Sequence, residues 1–362
     1  MQMAKYTVRF ITPAFLGDAE QRGAWRAPPF KALMRQWWRV FAAKEHGYDH
    51  KKLREAEGRL FGHAWLDGEQ GKSWAMRSQV LIRLDSWNPG TLQSWPTKEP
   101  RVVHPEVEVA RNGIGAHLYL GYGPLNFDKK TKGSRLVVGA ALDRDAKAQL
   151  TICYPECHSK AIRTTMQLMH WFGTAGGRSR NGWGSFILEG EGFRGFDSLK
   201  SADPLIEELS RPVGKCLEAD WPHAIGKEEK SVLIWKSKKS CGSWSEVVKE
   251  LAEAKILFRT ALPFNGPKGR LEDRHIVAYP VTNHAVNGWQ QGRLANQIRF
   301  KVARQNDQYF GIIYHLPCRL PDSLIKDFNG NLSDLKAVQA KELKIWQRVH
   351  KKIDQNNSFE RI

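Results

Sequence analysis

Three features are scarce or missing in this chain of 362 residues, and each absence excludes a class of protein. No apolar run approaches the roughly 20 residues that a membrane-spanning helix needs. The five cysteines are too few and too scattered for a disulfide framework, which indicates reduced thiols. The N-terminal segment MQMAKYTVRFITPAF lacks the basic-then-apolar layout of a signal peptide. We therefore expect a cytoplasmic protein.

Metal and catalytic motifs are also missing. The sequence contains no HExxH or HxH pair and no paired acidic motif for two-metal phosphodiester chemistry. Cys153, Cys157 and His158 form only half of a metal site, so we expect neither a metal nor another cofactor. A metal-free ribonuclease assembled from a His, a Lys and a Tyr stays open, with His275 or His284 as the candidate histidines.

Acidic residues are outnumbered by basic ones. The chain has 56 Lys and Arg against 38 Asp and Glu, which gives a net charge of +18 and a pI near 9.7. Such an excess favours a polyanionic partner, and its dispersal along the chain favours a folded binding surface over a basic tail. Because no amphipathic terminal helix or lipidation motif supports a membrane partner, nucleic acid is the stronger interpretation.

Hydrophobic patterning predicts similar element orders in the two halves. The first half shows a strand (KYTVRFITPAFL), a helix (RAPPFKALMRQWWRV), three extended segments (AMRSQVLIRLDSW, HLYLGYGPL and SRLVVGAALDRDAKAQLTICY), a second helix (HSKAIRTTMQLMHWFG) and a strand (WGSFILEGEGF). In the second helix, apolar residues three and four apart define one buried face, namely Ile162, Met166, Met169 and Phe172. The second half repeats the order with SVLIWKS, SWSEVVKELAEAKILFRTA, HIVAYPV, a hairpin turning at residues 305–307 and a final helix, SDLKAVQAKELKIWQRVHKKI.

This order predicts an α+β fold of two tandem ferredoxin-like (RRM-like) domains with loop insertions. The expected boundaries are an N-terminal domain over residues 1–196, a linker over 197–230 and a divergent C-terminal domain over 231–362. The second domain shows no convincing last strand. Because ferredoxin-like sheets host many functions, the fold alone decides none.

The first helix combines aromatic and basic residues. Pro28 or Pro29 suits its first turn, where the missing N–H would have no partner. Its apolar residues fall on one side, namely Phe30, Leu33, Met34, Trp37 and Phe41. A separate basic stripe, which is Lys31, Arg35 and Arg39, recurs every four residues and serves either RNA contact or plain solvation. Trp38 lies at the seam, where it either closes the core or stacks on a base.

A glycine-rich stretch, FGTAGGRSRNGWGSF, connects the second helix to the following strand. Glycines permit positive φ and close approach of a ligand, so consecutive amides can hold phosphate oxygens while arginines add bidentate contacts. The stretch is neither a Walker A loop nor a dinucleotide fingerprint, because it lacks the Gly-Lys-Ser/Thr ending and follows a helix rather than a strand. A phosphate-binding loop is favoured over a permissive turn.

Several segments together resemble a known family. ITPAFLGD (residues 11–18), RAPPFKALMRQWWR (26–39) and GGRSRNGWGSF (176–186) are similar to signatures of the RAMP-superfamily first-numbered subunits of the Cmr complex, the type III-B CRISPR effector. HLYLGYGPL, VAYPV and RLANQIRFKV are similar to further segments of that family, so the resemblance spans most of the chain.

The resemblance implies tandem RAMP domains and a non-catalytic, RNA-binding role in antiviral defence. The expected partners are the 3′ side of the CRISPR guide RNA, the target RNA and other RAMP subunits, with no membrane. A RAMP endoribonuclease that processes CRISPR transcripts and a purely structural assembly subunit are the alternatives. The expected RNA-binding residues are Arg26, Lys31, Arg35, Trp38, Arg39, Gly176, Gly177, Arg178, Ser179, Arg180, Asn181, Gly182, Trp183, Gly184 and Arg293.

Overall fold

The computed structural model describes residues 1–67, 73–96, 98–107, 112–229, 231–289 and 291–362. Its strands are β1 (Gln2–Phe10), β2 (His63–Asp67), β3 (Ser73–Met76), β4 (Leu81–Leu84), β5 (Arg101–Val102), β6 (Ile114–Gly115), β7 (Leu125–Asp128), β8 (Gly133–Leu136), β9 (Lys147–Tyr154), β10 (Phe186–Glu189), β11 (Ser210–Pro212), β12 (Ile225–Glu228), β13 (Ser231–Val232), β14 (Ile234–Ser237), β15 (Ile298–Gln305), β16 (Gln308–His315) and β17 (Phe359–Arg361).

The helices are interspersed with these strands. They are α1 (Pro28–Ala42), α2 (His50–Phe61), α3 (Ala116–Gly121), α4 (Ser159–Phe172), α5 (Pro204–Glu208), α6 (Val213–Cys216), α7 (Trp244–Thr260), α8 (Asp273–Val277), α9 (Asp322–Lys326), α10 (Leu332–Ala340) and α11 (Glu342–Asp354). The predicted α+β class is confirmed. Among the described residues, no helix is long and apolar enough to cross a membrane.

The chain forms two compact units whose boundaries differ from the predicted ones. The first unit comprises Met1–Thr97, Gly121–Leu199 and Lys301–Asp307, and the second comprises Lys98–Leu120, Lys200–Phe300 and Gln308–Ile362. The segment predicted as a linker contains α5, β11, α6 and β12, and most of it belongs to the second unit. It is held there because β12 pairs with β11 and β13 and its apolar side chains are buried.

The first unit is built on a sheet with the strand order β10–β1–β9–β4. Its neighbouring strands run antiparallel, and β9 buries alternate residues, as the period of two requires. The predicted face of α4 is confirmed, since Ile162, Met166, Met169 and Phe172 are fully buried. Trp37 of α1 stacks on Phe172 of α4 with ring centroids 5.2 Å apart, so the two helices share one core.

A second sheet has the strand order β15–β16–β14–β17, and most of its residues belong to the second unit. The expectation that it lacks a last strand was wrong, because β17 pairs antiparallel with β14 and fully buries Phe359. A strand of three residues is too short for alternation to show in the sequence. The predicted turn of the hairpin is confirmed, since Asn306 and Asp307 both have positive φ between β15 and β16.

Three predicted elements differ in detail. HLYLG, expected to be extended, forms α3, and the start of HIVAYPV lies in α8, where Glu272 and His275 form a capping box. Short apolar runs fit either a strand or a helix, so periodicity could not separate them. The predicted final helix is divided at Lys341 into α10 and α11.

Candidate nucleic-acid interface

The basic stripe of α1 is paired inside the first unit. Arg35 and Arg39 both form ion pairs with Glu57 of α2, and Arg39 Nη2 adds a hydrogen bond of 2.8 Å to Glu57 Oε1. The Glu57 side chain is only 3% exposed, whereas the two arginines reach solvent. A buried carboxylate requires such partners, so these arginines tie α2 to α1.

Two further predicted residues near α1 have different surroundings. Arg26 donates a hydrogen bond to the backbone carbonyl of Gly17, which anchors the segment before the helix. Lys31 is half-buried, and no carboxylate of the described residues forms an ion pair with it. Burial and then the charge of Arg35 lower the pKa of Lys31. Lys31 is therefore the member of the stripe that is not held by an acid.

Trp38 belongs to the core of the first unit. Its side chain is 4% exposed, and its ring meets Phe61 edge-to-face at 5.8 Å between centroids. His46 covers it at 6.4 Å. Of the two roles open in the sequence, closing the core agrees with this geometry, because a ring enclosed in this way offers no face to a base.

The glycine loop, residues 176–184, has a buried half and an exposed half. Trp183 is fully buried against Phe15 and Trp95, with centroids 5.5 and 5.2 Å away, and Asn181, Gly182 and Gly184 are buried with it. Ser179 and Arg180 are half-buried, while Gly177 and Arg178 are exposed. The glycine loop therefore consists of a buried part that stabilises the fold and a smaller exposed apex.

Backbone hydrogen bonds already use several amides of the glycine loop. The amides of Gly177 and Gly184 donate to the carbonyls of Phe15 and Pro13 at 2.8 and 2.9 Å. Those of Asn181 and Gly182 donate within the loop at 2.9 and 3.0 Å. These four N–H groups hold the turn, so accessible phosphate contacts depend more on the Arg178 side chain than on an amide cradle.

The glycine loop and the segment ITPAF also contact each other. The Thr12 hydroxyl donates to the carbonyl of Gly182 at 2.9 Å and accepts from the amide of Ser185 at 3.0 Å. Gly184 has φ +62°, and a Cβ there would lie 1.9 Å from the Ala175 carbonyl oxygen. Two motifs that are distant in sequence thus form one structural joint, for which glycine is required.

Arg178, at the exposed apex, lies beside the chain that leads into β7. A Cβ built on Gly123 would lie 3.2 Å from Arg178 Nη2, and Tyr122 is close enough to affect the charge of Arg178. Partial burial lowers the pKa of Arg178, and Tyr122 acts in the opposite direction. Tyr122 is 63% exposed, and no carboxylate of the described residues pairs with Arg178. The arrangement places an aromatic face and an unneutralised guanidinium together at the surface.

A lysine-rich hairpin, residues 125–136, continues from this point. Strands β7 and β8 pair antiparallel from Leu125–Leu136 to Asp128–Gly133. Asp128 stabilises the turn by accepting hydrogen bonds from the Lys130 amide and the Thr131 hydroxyl. The exposed cations of the hairpin are Lys129, Lys130, Lys132 and Arg135, and the exposed apolar residues beside them are Phe127 and Val137. We call Tyr122, Arg178 and this hairpin the apex surface.

The hairpin and Tyr122 are not among the RNA-binding residues predicted from the sequence. The segment FDKKTKGSR carries a usable signal, since lysines on both sides of a polar turn between two extended segments indicate an exposed basic hairpin. Arg293, the predicted residue in the second unit, is exposed and donates to the carbonyl of Gly292 at 2.8 Å. The predicted residues therefore fall into buried, paired and accessible groups.

Comparisons with known proteins give the following findings. No family model and no curated protein matches the chain. Cmr1 from Pyrococcus furiosus in its apo form aligns over 94% of this chain and 97% of its own, with 15% identity and a TM-score of 0.43. The chain is similar to Cmr subunits.

Two other solved structures belong to the type III-B Cmr-beta complex. A chain of that complex bound to cognate target RNA and AMPPnP, in the presence of single-stranded DNA, aligns over 97% of this chain and 98% of its own, with 10% identity and a TM-score of 0.45. A chain of the complex bound to cognate target RNA covers 96% and 99%, with 10% identity and a TM-score of 0.40.

Proposed function

We propose that this chain is a non-catalytic RNA-binding subunit of a type III-B CRISPR effector of the Cmr type. It helps to hold the 3′ side of the guide RNA and to engage the target RNA, and it assembles with other RAMP subunits. The observation that carries the proposal is the apex surface, where Arg178, Tyr122 and the hairpin lysines are exposed together. Exposed aromatic faces beside cations bind single-stranded nucleic acid through stacking and phosphate contacts.

The proposal includes tandem ferredoxin-like domains of the RAMP type. Around each of the two four-stranded sheets, the main elements follow the order strand, helix, strand, strand, helix, strand. The sheets β10–β1–β9–β4 and β15–β16–β14–β17 both place these strands in the spatial order fourth, first, third, second. This shared order supports two copies of the split β-α-β topology.

The non-catalytic part of the proposal is supported by the surroundings of His275. This residue is buried, its Nδ1 accepts from the Glu272 amide at 2.9 Å, and its Nε2 lies 3.0 Å from the carbonyl of His284. Both ring nitrogens are therefore engaged by backbone groups, which agrees with a structural histidine. His284 is half-buried and stacks on Phe264 at 3.8 Å.

Assembly and activity can be tested on the full chain. Affinity purification of the protein from cells should recover other RAMP subunits and a short guide RNA. Incubation of the purified protein with labelled repeat RNA should yield no discrete product. A single cut that persists in EDTA would favour the processing ribonuclease instead.

The apex surface is tested by charge removal at matched positions. Changing Lys129, Lys130 and Lys132 to Ala should weaken single-stranded RNA binding roughly tenfold and lower the salt slope by about two. The control changes Lys51, Lys52 and Arg54 of α2, which are also exposed, to Ala and removes the same charge. Equal losses in the two variants would mean that net charge, rather than this surface, binds RNA.

A further inference from the structure

The second unit contains a cluster of cationic and aromatic side chains apart from the apex surface. Its members come from separate segments, namely His104, which follows β5, Tyr119 of α3, Lys255 and Arg259 of α7 and Arg274 of α8. The Tyr119 ring lies at its centre, 5.9 Å from the His104 ring and 5.6 Å from Lys255 Nζ. Lys255 and Arg259 are one helical turn apart, so both project from the same side of α7.

Arg274 is fully held within this cluster. Its two terminal nitrogens bind both carboxylate oxygens of Glu106 at 2.5 and 2.6 Å, and Nε donates to the carbonyl of Leu262 at 2.5 Å. The guanidinium also lies over the Phe264 ring at 4.5 Å. Hydrogen bonding to Arg274 lowers the pKa of Glu106, which keeps that carboxylate ionised. Glu106, the carboxylate among the described residues that affects the pKa of Arg259, is thereby already paired with Arg274.

Arg259 lacks such a partner. Its guanidinium is half-buried, and among the described residues it makes neither a hydrogen bond nor an ion pair. Burial lowers the pKa of Arg259 and the nearby charge of Arg274 acts in the same direction, whereas Tyr119 and Glu106 act against them. A partly desolvated guanidinium beside a second one is destabilising unless an anion joins them.

Hydrogen-bond donors around Arg259 match an anion with several oxygens. His104 Nδ1 accepts from the Glu106 amide at 3.3 Å, which leaves Nε2 as the protonated ring nitrogen. The Tyr119 hydroxyl adds a donor from another element, and the guanidinium supplies a planar pair. Three donors on separate elements suit a phosphate group, which offers more oxygens than a carboxylate.

We infer that Arg259, Tyr119 and His104 form a binding site for a phosphate group in the second unit. Arg274 is neutralised by Glu106 and is not part of the site. The ligand is a phosphate of an RNA backbone or a free phosphate compound, and the inference does not depend on the proposed function of the apex surface.

The test compares Arg259→Gln with Arg348→Gln, which removes an exposed arginine of α11 in the same unit. Inorganic phosphate should raise the Tm of the wild-type protein and of R348Q above its value in chloride at equal ionic strength. In R259Q the rise should be clearly smaller, because only the general stabilising effect of phosphate remains. In chloride alone, R259Q should be at least as stable as the wild-type protein, because an uncompensated charge has been removed.

Binding of a labelled single-stranded RNA then separates the two sources of phosphate. A loss of about tenfold in R259Q alone supports an RNA phosphate at this site. Unchanged RNA affinity together with a reduced phosphate response supports a small phosphate ligand. The inference is overturned if R259Q keeps the full phosphate response, if the wild-type protein shows none, or if R259Q is destabilised in chloride.

Discussion

The basic stripe of α1 and the apex surface carry similar residues in opposite electrostatic situations. In the stripe, Arg35 and Arg39 converge on Glu57, whose side chain is buried. At the apex surface, Arg178 has no carboxylate partner among the described residues and lies next to an exposed tyrosine. Both regions are aromatic and basic in sequence, yet the charges of the first stabilise the fold, whereas those of the second face solvent.

The difference shows that the role of a basic stripe depends on whether the residues packed against it neutralise its charges. Glu57 is on a neighbouring helix and 18 residues beyond Arg39, so no spacing within α1 reveals it. A cation that is already paired with a buried acid contributes less binding free energy to a phosphate contact than an unpaired cation does, since the existing pair must first separate. We therefore expect stability effects at α1 and binding effects at the apex surface.

The largest expected effect is on stability in the double variant Arg35→Ala with Arg39→Ala. It leaves Glu57 buried without a partner, and we expect a loss of about 3 kcal/mol of unfolding free energy, the low end for a buried pair because the guanidiniums reach solvent. Urea unfolding measures this loss, and adding Glu57→Gln should restore part of it. A stable double variant with strongly reduced RNA affinity would instead show that Arg35 and Arg39 bind RNA and do not stabilise the fold.

The second prediction concerns pH. Burial and then the charge of Lys301 lower the pKa of His170 to about 3. In the unfolded chain the histidine binds its proton near pH 6.5, whereas the folded protein keeps His170 neutral down to about pH 3. The free energy of unfolding is therefore unaffected by this group above pH 6.5 and decreases as the pH falls toward 3, by about 2 kcal/mol at pH 5.

Urea unfolding at pH 7 and pH 5 should show a smaller difference for His170→Gln than for the wild-type protein. RNA affinity through arginine and lysine should change little over the same interval, because those groups remain charged. An equal pH dependence in the variant would contradict the neutral state of His170.

The third prediction is that Tyr122→Ala weakens single-stranded RNA binding roughly tenfold, since one stacked base contributes about 1–3 kcal/mol. Stability should not change, because the side chain is mostly exposed. Fluorescence anisotropy with a labelled oligonucleotide measures the affinity, and Tyr122→Phe, which retains the ring, should bind like the wild-type protein. If the Phe variant lost as much affinity, the hydroxyl rather than stacking would be responsible.

The smallest expected effect is in Arg178→Ala, which should lower the salt slope of RNA binding by about one and the affinity a few-fold. Arg180→Ala is the matched control within the same loop, because Arg180 is half-buried where Arg178 is exposed. Binding measured at several salt concentrations gives the slopes. Identical slopes for Arg178→Ala and the wild-type protein would leave the glycine loop with a structural role alone.

Strongly periodic elements could be predicted from the sequence because burial follows the local pattern. The face of α4, the two prolines in the first turn of α1 and the turn at Asn306 and Asp307 agree with the structure. β17 and α3 escaped prediction because short segments take their conformation from the strands and helices that they meet. RNA contacts of the predicted residues remain a prediction.

The sequence by itself determined the α+β class, the basic excess and the positions of the arginine- and glycine-rich motifs, because these follow from composition and local periodicity. Only the tertiary structure decided which basic residues are neutralised. Glu57 meets Arg35 and Arg39, Glu106 meets Arg274, and Arg178 and Arg259 lack such a partner among the described residues. The physical reason is that pairing and desolvation depend on which distant segments fold against one another.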